Sequence, residues 1–342
     1  MKPVFFLVFI SLLLFSACED SMAPKDGGNF KLVYFEGEKL NIINPDGTGK
    51  KYLKNVSFNQ RGVGWVPFQN QIHYVNNSND GIKLFVVDIE TRIESPVEQL
   101  DIAAFDFVWS PDGQKIIFSR RSGGQYDLYI SNFDGSDLFR LTNDVNRENY
   151  PCWSPDGRKL AFSTIYPDST LGKIFVINLD GTQESQIDTK MREKIFGLTW
   201  APNMQNFLFY MRNPNLDDTP LANDIFWVSV DGDSLRQLTS NQFDDASPKY
   251  SPNGETILYT SYGPRGNVVM LMDQNGNNAK EIGIGYHPTW SPDGKYIAYH
   301  NYEHPGYYGI AIAKSNGEHF YRIDWGQYFG DQYLIWSTHR IP

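Results

Sequence analysis

The chain has 342 residues, with 30 Lys and Arg against 40 Asp and Glu, a formal net charge of −10. An acidic surface without a basic stripe lacks the electrostatic footprint that a phosphate backbone needs, which excludes nucleic acid as the expected partner. Cys18 and Cys152 are the two cysteines of the chain, so a disulfide-stapled fold is excluded and closure has to come from strand pairing.

Met1-Lys2 precede an apolar run from Val4 to Phe15, followed by Ser16-Ala17-Cys18. About twelve apolar residues are too few to span a hydrocarbon core of about 30 Å as a helix, and small residues stand at the cleavage position. Residues 1–18 therefore read as a secretory signal. Ser16-Ala17-Cys18 resembles the lipobox of bacterial lipoproteins, although Phe15 holds the place usually taken by Leu, with Leu14 one position earlier. The resemblance implies that Cys18 becomes an acylated mature N-terminus; an ordinary cleaved signal is the alternative. Removing residues 1–18 takes away one Lys and leaves a mature charge of −11. Residues 19–29 lack any apolar period and read as a flexible tether, which leaves residues 30–342 as the folded domain. Cys152, beside Trp153 in an apolar run, is expected to be a buried, inert thiol.

From Phe30 onward aromatic and β-branched runs alternate with Gly, Asn, Asp and Pro clusters, which predicts an all-β fold. One pattern recurs as Trp109-Ser110-Pro111-Asp112-Gly113, Trp153-Ser154-Pro155-Asp156-Gly157 and Trp290-Ser291-Pro292-Asp293-Gly294, each followed after two residues by an apolar run. Weaker copies are Trp65-Val66-Pro67, Trp200-Ala201-Pro202-Asn203-Met204 and Tyr250-Ser251-Pro252-Asn253-Gly254. Ser-Pro-Asp-Gly suits a type I turn in a hairpin, with Pro fixing φ at the second position and Gly free to take φ > 0 at the fourth. A left-handed Met204 would cost roughly 1 kcal/mol, so its turn is expected to be reshaped.

The motif aromatics at 65, 109, 153, 200, 250, 290 and 336 are spaced by 44, 44, 47, 50, 40 and 46 residues. A period of about 40–50 residues with four short strands per unit is the propeller signature. Asp-Gly or Asn-Gly turns at Asp46, Asp134, Asp180, Asp231, Asn275 and Asn316 give the units a second hairpin, except that the unit starting at Trp65 has Asp88-Ile89-Glu90-Thr91 instead. Residues 30–56 supply three strands without a preceding Trp-Ser strand, and residues 333–337 supply that strand alone. The C-terminal strand is therefore expected to complete the N-terminal blade and remove an exposed sheet edge. Seven four-stranded blades follow from this count, with six blades and one irregular unit as the alternative.

The Trp-Ser-Pro-Asp-Gly-x-x-Ile-Ala-Phe pattern resembles the WD40-like repeat of TolB-type β-propellers, which also occurs in propeller domains of prolyl oligopeptidase relatives and in oligogalacturonate lyases. The resemblance covers about nine tenths of the chain; it is specific for fold and weakly informative about function. TolB carries an additional α/β domain before its propeller, whereas about eleven residues separate Cys18 from the first strand here, so the expectation is a TolB-like propeller and not TolB itself. The resemblance allows calcium in the central channel without naming ligands; no other cofactor is expected.

His300-Asn301-Tyr302-Glu303-His304 matches the H-x-x-E-H pattern of inverted zinc peptidases, but that motif needs a helix to place both imidazoles on one face, and here it follows a predicted strand. No G-x-S-x-G elbow occurs. An enzyme resembling oligogalacturonate lyase is the alternative function, with His287, His300 and His304 as residues from neighbouring loops that can meet.

In an up-and-down blade the Ser-Pro-Asp-Gly and Asp-Gly turns share one face and the other two connections share the opposite face. That opposite face is expected to vary from blade to blade, through loops at 143–150, 188–196, 212–223, 244–247, 262–265, 286–287, 300–308 and 325–329, and to bind. Its candidate binding residues are Tyr286, His287, His300, Tyr302, Tyr307, Tyr308, Trp325, Tyr328 and Phe329, which offer flat amphipathic area. Arg120 and Arg121 are candidate anion contacts. The expected protein is a monomeric, non-catalytic scaffold for an envelope protein or glycan, attached by its lipid to the bacterial cell envelope, with the outer membrane, facing the periplasm or the cell surface, as the expected site.

Overall fold

The computed structural model describes residues 30–55, 60–78, 81–97, 107–122, 125–143, 147–165, 172–189, 193–213, 222–304, 307–318, 321–326 and 334–338. The signal segment with Cys18 and the 19–29 tether lie outside the described residues.

The strand-forming runs pair as up-and-down antiparallel sheets. One sheet holds β4 (Gln60–Trp65), β5 (Gln71–Ser78), β6 (Gly81–Asp88) and β7 (Glu94–Pro96). The next holds β8 (Phe107–Trp109), β9 (Lys115–Ser122), β10 (Gln125–Asn132) and β11 (Phe139–Arg140). Then come β12 (Arg147–Trp153), β13 (Lys159–Ile165), β14 (Gly172–Asn178) and β15 (Gln183–Asp188), followed by β16 (Phe196–Trp200), β17 (Asn206–Arg212), β18 (Asn223–Ser229) and β19 (Leu235–Gln237). A seven-stranded sheet joins β20 (Asp244–Tyr250), β21 (Thr256–Gly263), β22 (Gly266–Asp273), β23 (Lys280–Trp290), β24 (Tyr296–His304), β25 (Tyr307–Lys314) and β26 (Tyr321–Gly326). Its register divides it in two: residues 280–284 of β23 pair with β22, and residues 285–290 pair with β24. One long strand is thus outermost in one unit and innermost in the next.

The remaining sheet is the composite one. β1 (Leu32–Glu36), β2 (Lys39–Ile43) and β3 (Lys51–Asn55) are joined by β27 (Ile335–Trp336), with Leu32 opposite Trp336. The described residues therefore form seven four-stranded blades, numbered here from the composite blade 1.

Apolar side chains on both faces of each blade pack against the neighbouring blades. Among the described residues, seven buried clusters fall between successive blades, from Val33, Leu40, Trp65 and Tyr74 between blades 1 and 2 to Ile310, Ile312, Leu32 and Trp336 between blades 7 and 1. Three of the motif tryptophans tie these interfaces by a repeated hydrogen bond, whereas the indole nitrogens of Trp65 and Trp200 are buried without a partner among the described residues. The indole of Trp153 donates to the Val108 carbonyl at 3.1 Å, that of Trp290 to Lys249 at 3.4 Å and that of Trp336 to Thr289 at 3.3 Å. In each case the acceptor directly precedes the motif aromatic of the preceding blade. Trp109 donates instead to Nδ1 of the buried His73 at 2.6 Å, and burial pushes that imidazole down to about 3. Cys152 packs half-buried against the core between blades 4 and 5, and burial pushes its thiol up to about 12, as an inert cysteine requires.

The Ser-Pro-Asp-Gly segments are hairpin turns. In the first, Ser110 Oγ donates to Asp112 at 2.6 Å and accepts the Lys115 amide at 2.9 Å, an arrangement repeated at Ser154 and Ser291. The serine hydroxyls hold the carboxyls of Asp112 and Asp156 below the ordinary range. These motif polar groups are consumed by turn structure. The turn at Met204 is not reshaped: Met204 takes φ 60°, against 70° and 68° for Gly113 and Gly157, and its amide still reaches the Ala201 carbonyl at 2.9 Å. Packing of the hairpin against its neighbours outweighs the local strain.

Met204→Gly is expected to stabilise the protein by about 0.5–1 kcal/mol, because relief of left-handed strain exceeds the extra chain entropy of glycine; a lowered melting temperature would contradict this. Trp336→Ala is expected to cost about 3–5 kcal/mol, as for a large buried aromatic. An unchanged denaturation midpoint would show that β27 does not close the ring.

Candidate binding pocket between blades 6 and 7

The antiparallel order of every blade puts the Ser-Pro-Asp-Gly and Asp-Gly turns on one face and the remaining connections on the other. On that second face the innermost strands run further than the sequence suggests. Tyr286 and His287 lie within β23 and His300 lies within β24, not in loops. The innermost strands bulge at a constant place, three residues before the motif aromatic. Tyr150, Gly197, Ser247 and His287 take φ of 52°, 58°, 56° and 52°, and each coincides with a register shift against the adjoining strand. A bulge bends the strand and re-aims its side chain. The signal for it was in the sequence as Tyr150-Pro151, Ser247-Pro248 and His287-Pro288: proline within a sheet is accommodated at bulges, where no ladder amide is needed.

Between blades 6 and 7 this face carries a pocket of about 450 Å³. Ala246, Ser247, Thr260 and Asn267 line it from blade 6, and Tyr286, His287, Tyr302 and Tyr308 from blade 7. Four of the predicted binding residues are therefore brought together. Their rings form one connected group: Tyr286 lies 5.2 Å from His287 edge-on and 6.2 Å from Tyr302, and Tyr302 lies 6.5 Å from Tyr308. The Tyr302 hydroxyl accepts the Asn267 amide at 2.7 Å and donates to the Asn267 carbonyl at 3.3 Å, which fastens blade 7 to blade 6 at the pocket. A side chain at Gly266, which has φ 91°, would meet that hydroxyl.

His300 has a different place from the one expected. It is 1% exposed and stacks beneath Tyr286 at 5.4 Å, so it supports the pocket wall and does not meet solvent. Arg120 stands in blade 3, its guanidinium 5.6 Å from the Tyr129 ring centre, and does not line the pocket. The side chains of Arg121, Tyr307, Trp325 and His304, which sit on β9, β25, β26 and β24, lie outside the described residues, as do Tyr328 and Phe329 entirely. Among the described residues no three His, Cys, Asp or Glu side chains are grouped to hold a metal ion.

Beside the pocket, at the interface of blades 5 and 6, lies a polar cluster that sequence reasoning missed. Asp224 is fully buried and receives Asn213 at 2.5 Å, Gln237 at 2.9 Å and the Thr239 hydroxyl at 3.0 Å. Burial, reinforced by the nearby Asp245 charge, pushes its carboxyl up to about 6. Asp245, next to Ala246 on β20, is also fully buried and raised by burial, and accepts Asn241 at 2.7 Å. On the same strand Lys249 donates to the Pro288 carbonyl at 3.1 Å.

Seven radially packed four-stranded blades with a pocket on one face define the class of protein: a β-propeller. Within that class the chain belongs to the family described as TolB beta propeller domain, whose model matches residues 31–287. It is similar to an uncharacterized protein of Agrobacterium fabrum, 26% identical over 57% of this chain and 53% of the relative. To the Tol-Pal system protein TolB of Francisella tularensis it is 27% identical over 63% of this chain and 49% of the relative. The chain thus spans about half the length of these relatives. An oligogalacturonate lyase of Vibrio parahaemolyticus shares the fold with a TM-score of 0.63 at 14% identity, covering 86% of this chain and 85% of that one.

Asp224 gives the stability a defined pH dependence. Its folded-state value of about 6 lies above the ordinary 3.8, so the folded protein holds the proton more tightly than the unfolded chain. Its contribution is fully present below about 4 and is lost as pH rises through about 6, by up to about 2 kcal/mol after allowance for solvent screening. Asp224→Asn is expected to flatten the urea-midpoint profile between pH 4 and 7; an unaltered slope would contradict the assignment.

Proposed function

We propose that this propeller is a non-catalytic binding module of the bacterial cell envelope, attached through a lipid on Cys18, that captures an envelope protein or glycan on the face opposite the Ser-Pro-Asp-Gly turns. The observation that carries the reading is the convergence of Tyr286, His287, Tyr302 and Tyr308 with blade 6 residues on one open pocket. Rigid aromatic side chains on a packed scaffold supply contact area at low entropic cost. On the Ser-Pro-Asp-Gly face the serine and aspartate groups hydrogen-bond within their own turns.

Several features support this reading over an enzyme. Among the described residues the pocket lining sets no carboxylate, Lys or Arg beside His287 and the tyrosines to complete an acid–base pair or to stabilise an oxyanion. Similarity to an oligogalacturonate lyase at 14% identity concerns the fold. Membership of the TolB propeller family, together with the lipobox-like Ser16-Ala17-Cys18, favours the envelope, with the outer membrane as the anchoring site and a monomer as the working form.

The test is capture from detergent-solubilised membranes by the lipidated chain. His287→Gly removes an exposed ring and relieves a left-handed residue, so it spares the fold; combined with Tyr286→Ala it is expected to reduce capture at least ten-fold with an unchanged melting temperature. Cys18→Ala is expected to abolish incorporation of a lipid analogue and membrane recovery. Capture that survives the pocket variants would move the binding site elsewhere, and equal labelling of Cys18→Ala would remove the anchor.

A further inference from the structure

The chemistry of the pocket between blades 6 and 7 narrows its ligand, provided that this pocket is the binding site proposed above. We infer that it binds a neutral pyranose oligosaccharide. Three observations lead there. Its walls combine the rings of Tyr286, Tyr302 and Tyr308 with small neutral residues. Among the described residues, the hydroxyls of Ser247 and Thr260 and the side-chain amide of Asn267 make no hydrogen bond within the protein; only the Asn267 backbone is engaged, by Tyr302. Unpaired neutral donors and acceptors beside aromatic planes match a sugar ring, which presents hydroxyls at its edge and C–H groups on its face.

The third observation is charge. Among the described residues the lining holds no Lys or Arg, and Arg265, on the hairpin leading into Asn267, is paired with Glu281 at 2.7 Å. The chain entering the pocket carries Asp244 and Asp245 immediately before Ala246. A uronate carboxylate would be desolvated here without a counter-charge, which disfavours anionic sugars. The volume of about 450 Å³ lies within the range of small-ligand sites.

Titration calorimetry of the full-length protein with hexamers of glucose (β-1,4 and α-1,4), mannose and xylose, and with a galacturonate hexamer, tests this. At least one neutral hexamer is expected to bind, and the galacturonate hexamer at least ten-fold more weakly. Thr260→Val, which keeps shape and loses the hydroxyl, and Ser247→Gly, which loses the hydroxyl and relieves strain, are each expected to weaken that binding about five-fold at unchanged melting temperature. Tighter binding of the galacturonate hexamer, or neutral binding indifferent to both variants, overturns the inference. If no hexamer binds while membrane capture still depends on Tyr286 and His287, the sugar inference falls and the binding face stands. If capture is also indifferent to those residues, both fall.

Discussion

A four-stranded blade has two apolar faces, and no blade can bury both of them alone. Each must be sandwiched, and in a chain of finite length that requirement is met at every blade only if the last packs against the first. The cluster shared by Ile310 and Ile312 of blade 7 with Leu32 and Trp336 of blade 1 is therefore the interface on which the others depend. The pairing of β27 with β1 joins the chain ends by backbone hydrogen bonds, and the Ser337 hydroxyl adds a bond from the Lys31 amide at 2.9 Å. Closure in this manner explains how the first and last described strands are held together while Cys152 stays a free thiol.

The same requirement accounts for the repeated motif. At Trp153, Trp290 and Trp336 the motif tryptophan spans the gap between blades, with its ring in the interblade core and its indole nitrogen on the carbonyl of the neighbouring inner strand. The serine and aspartate lock the adjoining hairpin. The face that carries these turns is thus defined by stacking repeats on one another, and substitutions there act first on stability. On the opposite face strand ends and connections differ in length from blade to blade.

Periodicity and turn chemistry made the all-β class, the blade period and the composite first blade legible, because hairpin turns depend on local residue identity. Features set by three-dimensional packing were not legible. Met204 keeps the turn conformation of glycine because the blade geometry imposes it. His300 reads as a loop residue beside Asn301 and Tyr302, yet β24 continues to His304 and takes it into the wall beneath Tyr286. Arg120 falls in blade 3, where Tyr129 claims its guanidinium, since a motif list carries no information about which blades adjoin. The buried Asp224 and Asp245 are not legible because acidic residues near loop-like stretches read as solvated; their partners come from two separate connections, Asn213 from the one after β17 and Thr239 and Asn241 from the one after β19.

The bulge recurs in blades 4 to 7, but a pocket with a wall of aromatic rings lies between blades 6 and 7. The difference follows from the connections. Blades 4 and 5 are separated by residues 189–195, and blades 5 and 6 by residues 238–243, whereas β23 passes from blade 6 into blade 7 without a break. No connecting loop exists there to lie over the bulge, so Ser247 and His287 project from adjacent inner strands into open space with Tyr302 clamped between their blades. Uninterrupted passage also fixes the two blades rigidly with respect to each other, because one strand belongs to both sheets. A ligand bound there meets walls that need not be reorganised, and the entropic cost of ordering a site, which limits binding by long loops, is largely avoided.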